Sequence, residues 1–369
     1  MLTVPPPLLP LVASSLGGGT QGAFFAQMVV AASSLALGIA PVLGGRLIRA
    51  IGIRAVLMTA LSVYGFAGLT PVVPISLLLL LLSRLALGIA GALMLSSGLA
   101  ILFATFEGGS RKSMLALQAA MGAGVAFLLT AFSGYIAQYW SWHAAFLIYG
   151  LASFALLFAL VAMPLLPERE IGPPMDAAPG EIVVLRMICG PLFLLMAITT
   201  LTSMNYLQGP FLLADAGVVN SSTVALVVGL SSLANAGGSL YFPLCSRTIG
   251  DRLLPLILLL IAVGACLWSM AHGPWVAATA CLLIGVANGL FTPFMTMRII
   301  EGVSIEARPV AGGLFYSGLF LAQFANPFLA APLRAMAGSR GLFLAAAIAA
   351  VLSLILTLRA GRRPSTLRA

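Results

Sequence analysis

The chain has 369 residues, of which 61% are hydrophobic and only 7% are charged. Because a soluble domain carries about 25% charged residues, this composition excludes a water-facing surface over most of the protein. The net charge of +9 comes from cations spread over short segments with no groove-sized cluster, so we expect lipid rather than nucleic acid as the partner.

Twelve apolar segments follow one another along the chain. The first, residues 2–14, is about half as long as the ~20 residues that a spanning helix needs, and we expect an upstream in-frame extension to complete it. The other segments are long enough to cross a bilayer, and closed backbone hydrogen bonding inside lipid predicts that they are helices. These eleven full spans are predicted at 22–48, 53–72, 75–103, 113–139, 141–165, 187–213, 221–246, 253–271, 274–300, 308–336 and 339–358.

One gap, residues 166–186, is polar and rich in proline, which predicts a linker. It would separate an amino-terminal transmembrane bundle, residues 1–165, from a carboxyl-terminal bundle, residues 187–369. We therefore predict an all-α polytopic membrane protein with two pseudo-symmetric six-helix bundles, the first helix being only a half span.

Most of the positive charges are concentrated around every second gap between the apolar segments. Fifteen of the 18 Lys and Arg residues lie in or beside gaps that would share one side of a membrane, and only Arg84 lies near the middle of an apolar segment. Since positively charged loops stay on the cytoplasmic side, the linker and the carboxyl terminus are predicted to be cytoplasmic. We expect a monomer in a bacterial inner membrane.

A short repeat supports the division into halves. Arg49-Ala-Ile-Gly-Ile-Arg54 recurs as Arg247-Thr-Ile-Gly-Asp-Arg252, in each case between the second and third helices of a bundle. The central glycine allows a tight turn. Chance similarity between loops that favour Arg and Gly is the alternative. Two parallel repeats are typical of transporters whose substrate site lies between the halves.

The segment from Gly45 to Arg54 resembles a loop signature of the major facilitator superfamily, G-x-L-x-D-R-x-G-R-R. The chain matches it at Gly45, Leu47, Gly52 and Arg54, and it has Arg49 in place of the acid. The resemblance implies the fold of that superfamily, with a cytoplasmic gate at these loops. The gate residues it implies are Gly45, Arg49, Gly52, Arg54, Arg247, Gly250 and Arg252. The latch that the acid forms in the family would be weaker here or rebuilt from Glu107, Glu301 or Glu306.

The fourth span contains Arg84 and Gly88, similar to the family's R-x-x-x-G signature, whereas its antiporter signature is largely missing from the fifth span. Arg84 is predicted near the middle of the bilayer, where a cation costs roughly 2.5–3.5 kcal/mol and needs a partner or a cavity. Two interpretations stay open: contact with solute or protons, and a tie between helices.

Several polar residues lie inside other spans, and the family lines its cavity with helices 1, 4, 7 and 10. Hydrogen bonding between helices is the alternative for each polar residue, and close helix packing is the interpretation of Gly88, Gly91, Gly285 and Gly289. A helix break is predicted at Gly209-Pro210. With Arg84, the predicted cavity residues are Asn205, Tyr206, Gln208, Asn288, Thr292, Thr296, Tyr316 and Gln323.

These observations predict a secondary transporter that works by alternating access and uses no cofactor or metal. No G-x-x-x-x-G-K-[ST] motif is present, which disfavours ATP as the energy source. We expect a small amphipathic or hydrophobic solute, with efflux slightly favoured and proton coupling left open. A non-transporting relative is the alternative, and a membrane enzyme is less favoured because the spans contain no paired carboxylates.

Overall fold

The computed structural model describes residues 5–40, 47–48, 50–106, 108–162, 181–304 and 307–361, and it is helical almost throughout them. Short 3-10 helices at Pro6–Leu8, Thr70–Val72, Ala144–Gly150 and Gly250–Arg252 adjoin the α-helices. The α-helices are α1 (Leu9–Ser15), α2 (Gly19–Ile39), α3 (Ile53–Leu69), α4 (Leu77–Thr105), α5 (Gly108–Tyr139), α6 (Leu151–Ala162), α7 (Glu181–Leu207), α8 (Gly209–Asp215), α9 (Ser221–Ile249), α10 (Leu253–Ser269), α11 (Pro274–Glu301) and α12 (Arg308–Gly361).

The helices account for the predicted spans. Nine helical stretches of the described residues are long and apolar enough to cross a membrane, and Leu253–Ser269 is a shorter apolar helix. The last of the nine is two helices joined at Gly338, whose φ of 70° and ψ of 178° are not helical. When the last stretch is counted as two helices, the nine stretches become ten, and Leu253–Ser269 brings the total to the eleven predicted full spans. The helix α1 matches the predicted half span. The predicted all-α fold is confirmed.

Two boundaries differ from the predictions. The helix α7 begins at Glu181, so residues 181–186 of the predicted linker are helical, while residues 166–180 lie outside the described residues. The predicted span 187–213 is divided at Gln208, between α7 and α8.

Hydrogen bonds between helix ends define one end of the molecule, which we call the far end. Here Ser221 N donates to Gln138 Oε1 at 2.8 Å, and Ser339 Oγ donates to Asp215 Oδ2. The opposite end, which we call the linker end, contains the start of α7 at Glu181. Successive long helices run alternately between the two ends.

The two halves meet along two helix pairs, α2 with α12 and α5 with α9. At the far end the rings of Phe24 and Phe328 pack edge to face, with centroids 5.6 Å apart. Close to it, α5 approaches α9 so closely that a Cβ on Gly134 would lie 2.5 Å from Ser221 O. The halves are therefore tightly packed on the far-end side.

Each of the repeated loops contains a glycine with a positive φ. Gly52 precedes α3 with a φ of 82°, and Gly250 follows α9 with a φ of 53°. Both values lie in the left-handed region that glycine adopts without steric cost, as the sequence predicts. Gly45 and Arg49 lie outside the described residues.

Glycines bring α9 and α11 into close contact. A Cβ on Gly289 would lie 2.1 Å from Asn235 O, and one on Gly285 would lie 2.6 Å from Ser231 O. In the amino-terminal half, a Cβ on Gly88 would lie 2.4 Å from Ser33 O. The predicted packing role of these glycines is confirmed.

Gly289→Ala is expected to lower the melting temperature of the purified protein, because the added methyl group overlaps the Asn235 carbonyl and overpacking costs about 1–3 kcal/mol. Gly237→Ala is the matched control, since a Cβ there meets nothing within 4 Å. That control should be neutral or slightly stabilising, as glycine inside a helix costs roughly 0.5–1 kcal/mol relative to alanine. Equal melting temperatures for the two variants would contradict the packing role.

Candidate functional site

A cavity of about 240 Å³ lies between the two halves. Nine of its thirteen lining residues have a hydroxyl or amide side chain, and none of the thirteen is charged. Helices α5, α7, α9, α11 and α12 contribute to the wall, as does the 3-10 helix before α1. The lining residues are Pro6, Thr130, Thr202, Asn205, Tyr206, Val228, Ser231, Ser232, Asn235, Ile284, Gly285, Asn288 and Gln323.

Four of the predicted cavity residues line this cavity: Asn205, Tyr206, Asn288 and Gln323. They come from α7, α11 and α12, so the fold brings together three of the spans singled out in the sequence. Tyr206 Oη is buried and has no hydrogen-bond partner among the described residues, which leaves its hydroxyl available for a bound solute.

Three further candidates lie outside the lining, on the linker-end side. Thr292 Oγ1 donates to Asn288 O at 3.0 Å, and Thr296 Oγ1 donates to Thr292 O at 2.8 Å. Both hydroxyls are therefore satisfied within α11. Tyr316 is two turns of α12 before Gln323 and is 38% exposed.

Gln208 is the one residue between α7 and α8, with a φ of −108° and a ψ of −28°. Pro210 follows at the start of α8 and has no N–H group to continue the helix. The predicted break at Gly209-Pro210 is thus present, and it leaves the Gln208 side chain free to point across the interface between the halves.

Gln208 joins an amide latch, which we define as Gln27, Gln208 and Asn326. These three side chains are at most 2% exposed. Gln208 Nε2 donates to Gln27 Oε1 at 2.8 Å and to Asn326 Oδ1 at 3.2 Å, while Gln27 Nε2 donates to Gln208 Oε1 at 3.2 Å. Asn326 Nδ2 in turn donates to Thr200 O and Ser203 Oγ, each at 3.0 Å. The latch is a neutral network whose buried polar groups satisfy one another.

The amide latch closes the far-end side of the cavity. Gln208 lies about one helical turn after Asn205, and the chain runs towards the far end there. Asn326 likewise lies about one turn of α12 after Gln323, in the direction of the far end. Gln27 belongs to the amino-terminal half, whereas the other two amides belong to the carboxyl-terminal half. The hydrogen bonds between Gln27 and Gln208 therefore connect the two halves beside the cavity.

Arg84 is 1% exposed and is not among the lining residues. Its Nη2 donates to Ala67 O and Gly68 O, in the last turn of α3. Its guanidinium also lies over the rings of Phe146 and Tyr149, at 5.3 and 5.6 Å from their centroids. The structure therefore shows the tie between helices, and the coupling role of Arg84 stays a prediction.

Gln27, the latch residue from the amino-terminal half, is missing from the sequence-based candidates, as are Thr130, Thr202, Ser231 and Ser232. Gln27 stands inside an otherwise apolar stretch of α2, which is a signal that was open to sequence reasoning. The four hydroxyl residues do not stand out in the sequence in this way, because serine and threonine are common in membrane helices, where they form hydrogen bonds between helices.

The described gate residues Arg54, Arg247 and Arg252 are exposed at the linker end. Arg247 lies in the last turn of α9, where a cation favourably complements the helix dipole. Their role in a gate stays a prediction.

The model of the Major Facilitator Superfamily matches residues 1–303. The chain belongs to this superfamily. The likeness to solved structures extends over almost the whole chain, although no curated protein matches it.

A crystal structure of the nucleoside transporter NupG matches with a TM-score of 0.71 and 13% identity, covering 98% of this chain and 100% of that chain. A point mutant of NupG matches with a TM-score of 0.73 and 15% identity, covering 97% and 98% respectively. Identities this low show the fold alone. Family and fold together support the predicted secondary transporter and point away from an enzyme.

Replacing Arg84 with Lys keeps the charge but removes the planar fork that reaches two carbonyl groups. We expect Arg84→Lys to lower the melting temperature in detergent while leaving the affinity for solute unchanged, because its contacts lie in α3 and in the 3-10 helix Ala144–Gly150 and not in the cavity wall. Arg340→Lys, at an exposed arginine, is the control. An Arg84→Lys variant as stable as the unmodified protein would contradict the tie to α3.

Proposed function

We propose that this protein transports a small, uncharged, hydrogen-bonding solute by alternating access, and that a nucleoside is the best candidate. The proposal is based on the composition of the cavity wall, which has nine hydroxyl or amide side chains and no charged ones. A charged solute would find no counter-ion among these residues.

The lining also disfavours a strongly hydrophobic solute. An apolar molecule would cover the wall's hydroxyl and amide groups without replacing their hydrogen bonds to water, and each such group costs free energy when it is left unsatisfied. The sequence slightly favours efflux together with an amphipathic or hydrophobic solute, and the polar wall does not support that combination. Solute flux should therefore be measured in both directions across the membrane.

The cavity size favours a metabolite. The cavity volume is about 240 Å³. It is smaller than the ~300–1,000 Å³ typical of sites for drug-sized ligands. A nucleoside presents hydroxyl groups on its sugar and both donors and acceptors on its base, which suits a wall of serine, threonine, asparagine and glutamine. NupG, which shares the fold, is a nucleoside transporter.

Proton coupling has no carrier in the cavity wall. No Asp, Glu or His belongs to the described lining residues, so coupling to protons requires an acid elsewhere in the chain. Flux driven by the solute gradient alone is the simplest mechanism for this wall. Flux measured with and without an imposed pH gradient distinguishes the two mechanisms.

The purified protein in liposomes is expected to accumulate radiolabelled uridine above the level of empty liposomes. Asn288→Ala should reduce this flux about ten-fold, because it removes a hydrogen-bonding amide from the cavity wall. Gln21→Ala is the control, since Gln21 is an exposed amide at the far end. No flux of uridine, adenosine or any other nucleoside in either direction would refute the proposal and favour a non-transporting relative.

Alternating access requires the far end to open. In a background with serine in place of each of the four native cysteines, the pair Phe24→Cys and Phe328→Cys should be joined by a short bifunctional thiol reagent, because these side chains are in contact across the halves. Flux should then stop in the double variant and continue in each single variant. Full flux after complete cross-linking would show that the far end need not open.

A further inference from the structure

Asn205 is held by two residues that lie outside the cavity lining. Its Oδ1 accepts a hydrogen bond from Trp268 Nε1 at 2.7 Å and a second from Cys281 Sγ at 3.3 Å. The donors come from α10 and α11, whereas Asn205 belongs to α7. Trp268 and Cys281 are completely buried, so water does not compete for these bonds.

The indole partner fixes which way the Asn205 amide points. An indole N–H is a donor only, so the amide atom that faces it must be the oxygen. With both hydrogen bonds made to Oδ1, the Nδ2 group is on the other side of the amide. No described residue accepts a hydrogen bond from it, and Asn205 lines the cavity. The side chain therefore presents N–H donors to whatever occupies this space.

Trp268 is itself held rigidly. Its ring stacks on Phe343 at a centroid distance of 5.2 Å and an interplanar angle of 15°. On another side, a Cβ on Gly209 would lie only 2.8 Å from the indole ring, which places the ring against the break beside Gln208. A ring fixed on two sides keeps its N–H aimed at Asn205.

We propose that Trp268 and Cys281 are positioning residues that orient the Asn205 amide, so that the site selects solutes presenting a hydrogen-bond acceptor to Asn205. This inference rests on the proposed function and deepens it. A nucleoside whose base presents a carbonyl oxygen is favoured over one that presents an amino group at the same place. Selection of this kind is effective because the mismatched solute leaves two donors facing each other in a buried site.

The test compares uridine, which has a carbonyl group at position 4 of its base, with cytidine, which has an amino group there. Each is used to inhibit uptake of labelled adenosine by the protein in liposomes. Uridine should inhibit more strongly than cytidine. Asn205→Asp presents oxygens in place of the N–H donors, so the uridine-to-cytidine ratio should fall about ten-fold.

Trp268→Phe retains an aromatic ring against Phe343 but removes the N–H, so the amide is free to rotate. The uridine-to-cytidine ratio should move towards one while adenosine uptake persists. Cys281→Ser keeps a donor and should preserve the ratio, whereas Cys281→Ala should lower it. Trp275→Phe is the control for loss of an indole, because Trp275 is 86% exposed.

The outcomes separate the two proposals. No flux of uridine, adenosine or any other nucleoside through the unmodified protein overturns the proposed function and this inference with it. Adenosine uptake with an unchanged uridine-to-cytidine ratio in both Trp268→Phe and Asn205→Asp overturns the inference alone. A lower melting temperature in Trp268→Phe without a change in the ratio assigns Trp268 a structural role only, which also overturns it.

Discussion

The hydrogen bonds between Gln27 and Gln208 are the interaction on which the closed far end depends. In a membrane such bonds are worth about 0.6 kcal/mol each on average, so the two bonds that join the halves stabilise the closed arrangement by only ~1 kcal/mol. That is less than a ten-fold bias in population. A neutral latch of this strength holds the halves in register and still releases them repeatedly, whereas a buried ion pair would leave costly uncompensated charges whenever it opened.

The cavity wall, like the amide latch, has no charged side chains among the described lining residues. Asn205 and Gln208 are neighbours along the broken helix, so one segment carries both a residue of the wall and the residue of the latch. A solute that binds Asn205 therefore contacts the element whose position determines whether the far end is closed. This arrangement offers a physical route from solute binding to opening that requires no change of charge.

The sequence predicted the features that depend on length and on local chemistry. Apolar length predicted the spans, the missing N–H group of Pro210 predicted the helix break, and the need for a left-handed turn predicted the roles of Gly52 and Gly250. The sequence did not predict which way side chains face. Helices that are apolar on all sides have no strong preference for rotation about their axes, so Arg84 could be assigned a depth but not a direction, and the lining hydroxyl groups of α5, α7 and α9 were not identified.

Distances between spin labels at Val73 and Val219 report directly whether the amide latch holds the far end closed. These residues are exposed and lie at the far end, one in each half. We expect a short distance as the main population in the unmodified protein, and a larger population at a longer distance when Gln208 is replaced by Leu. Superimposable distance distributions for the two proteins would contradict the claim that the amide latch holds the far end closed.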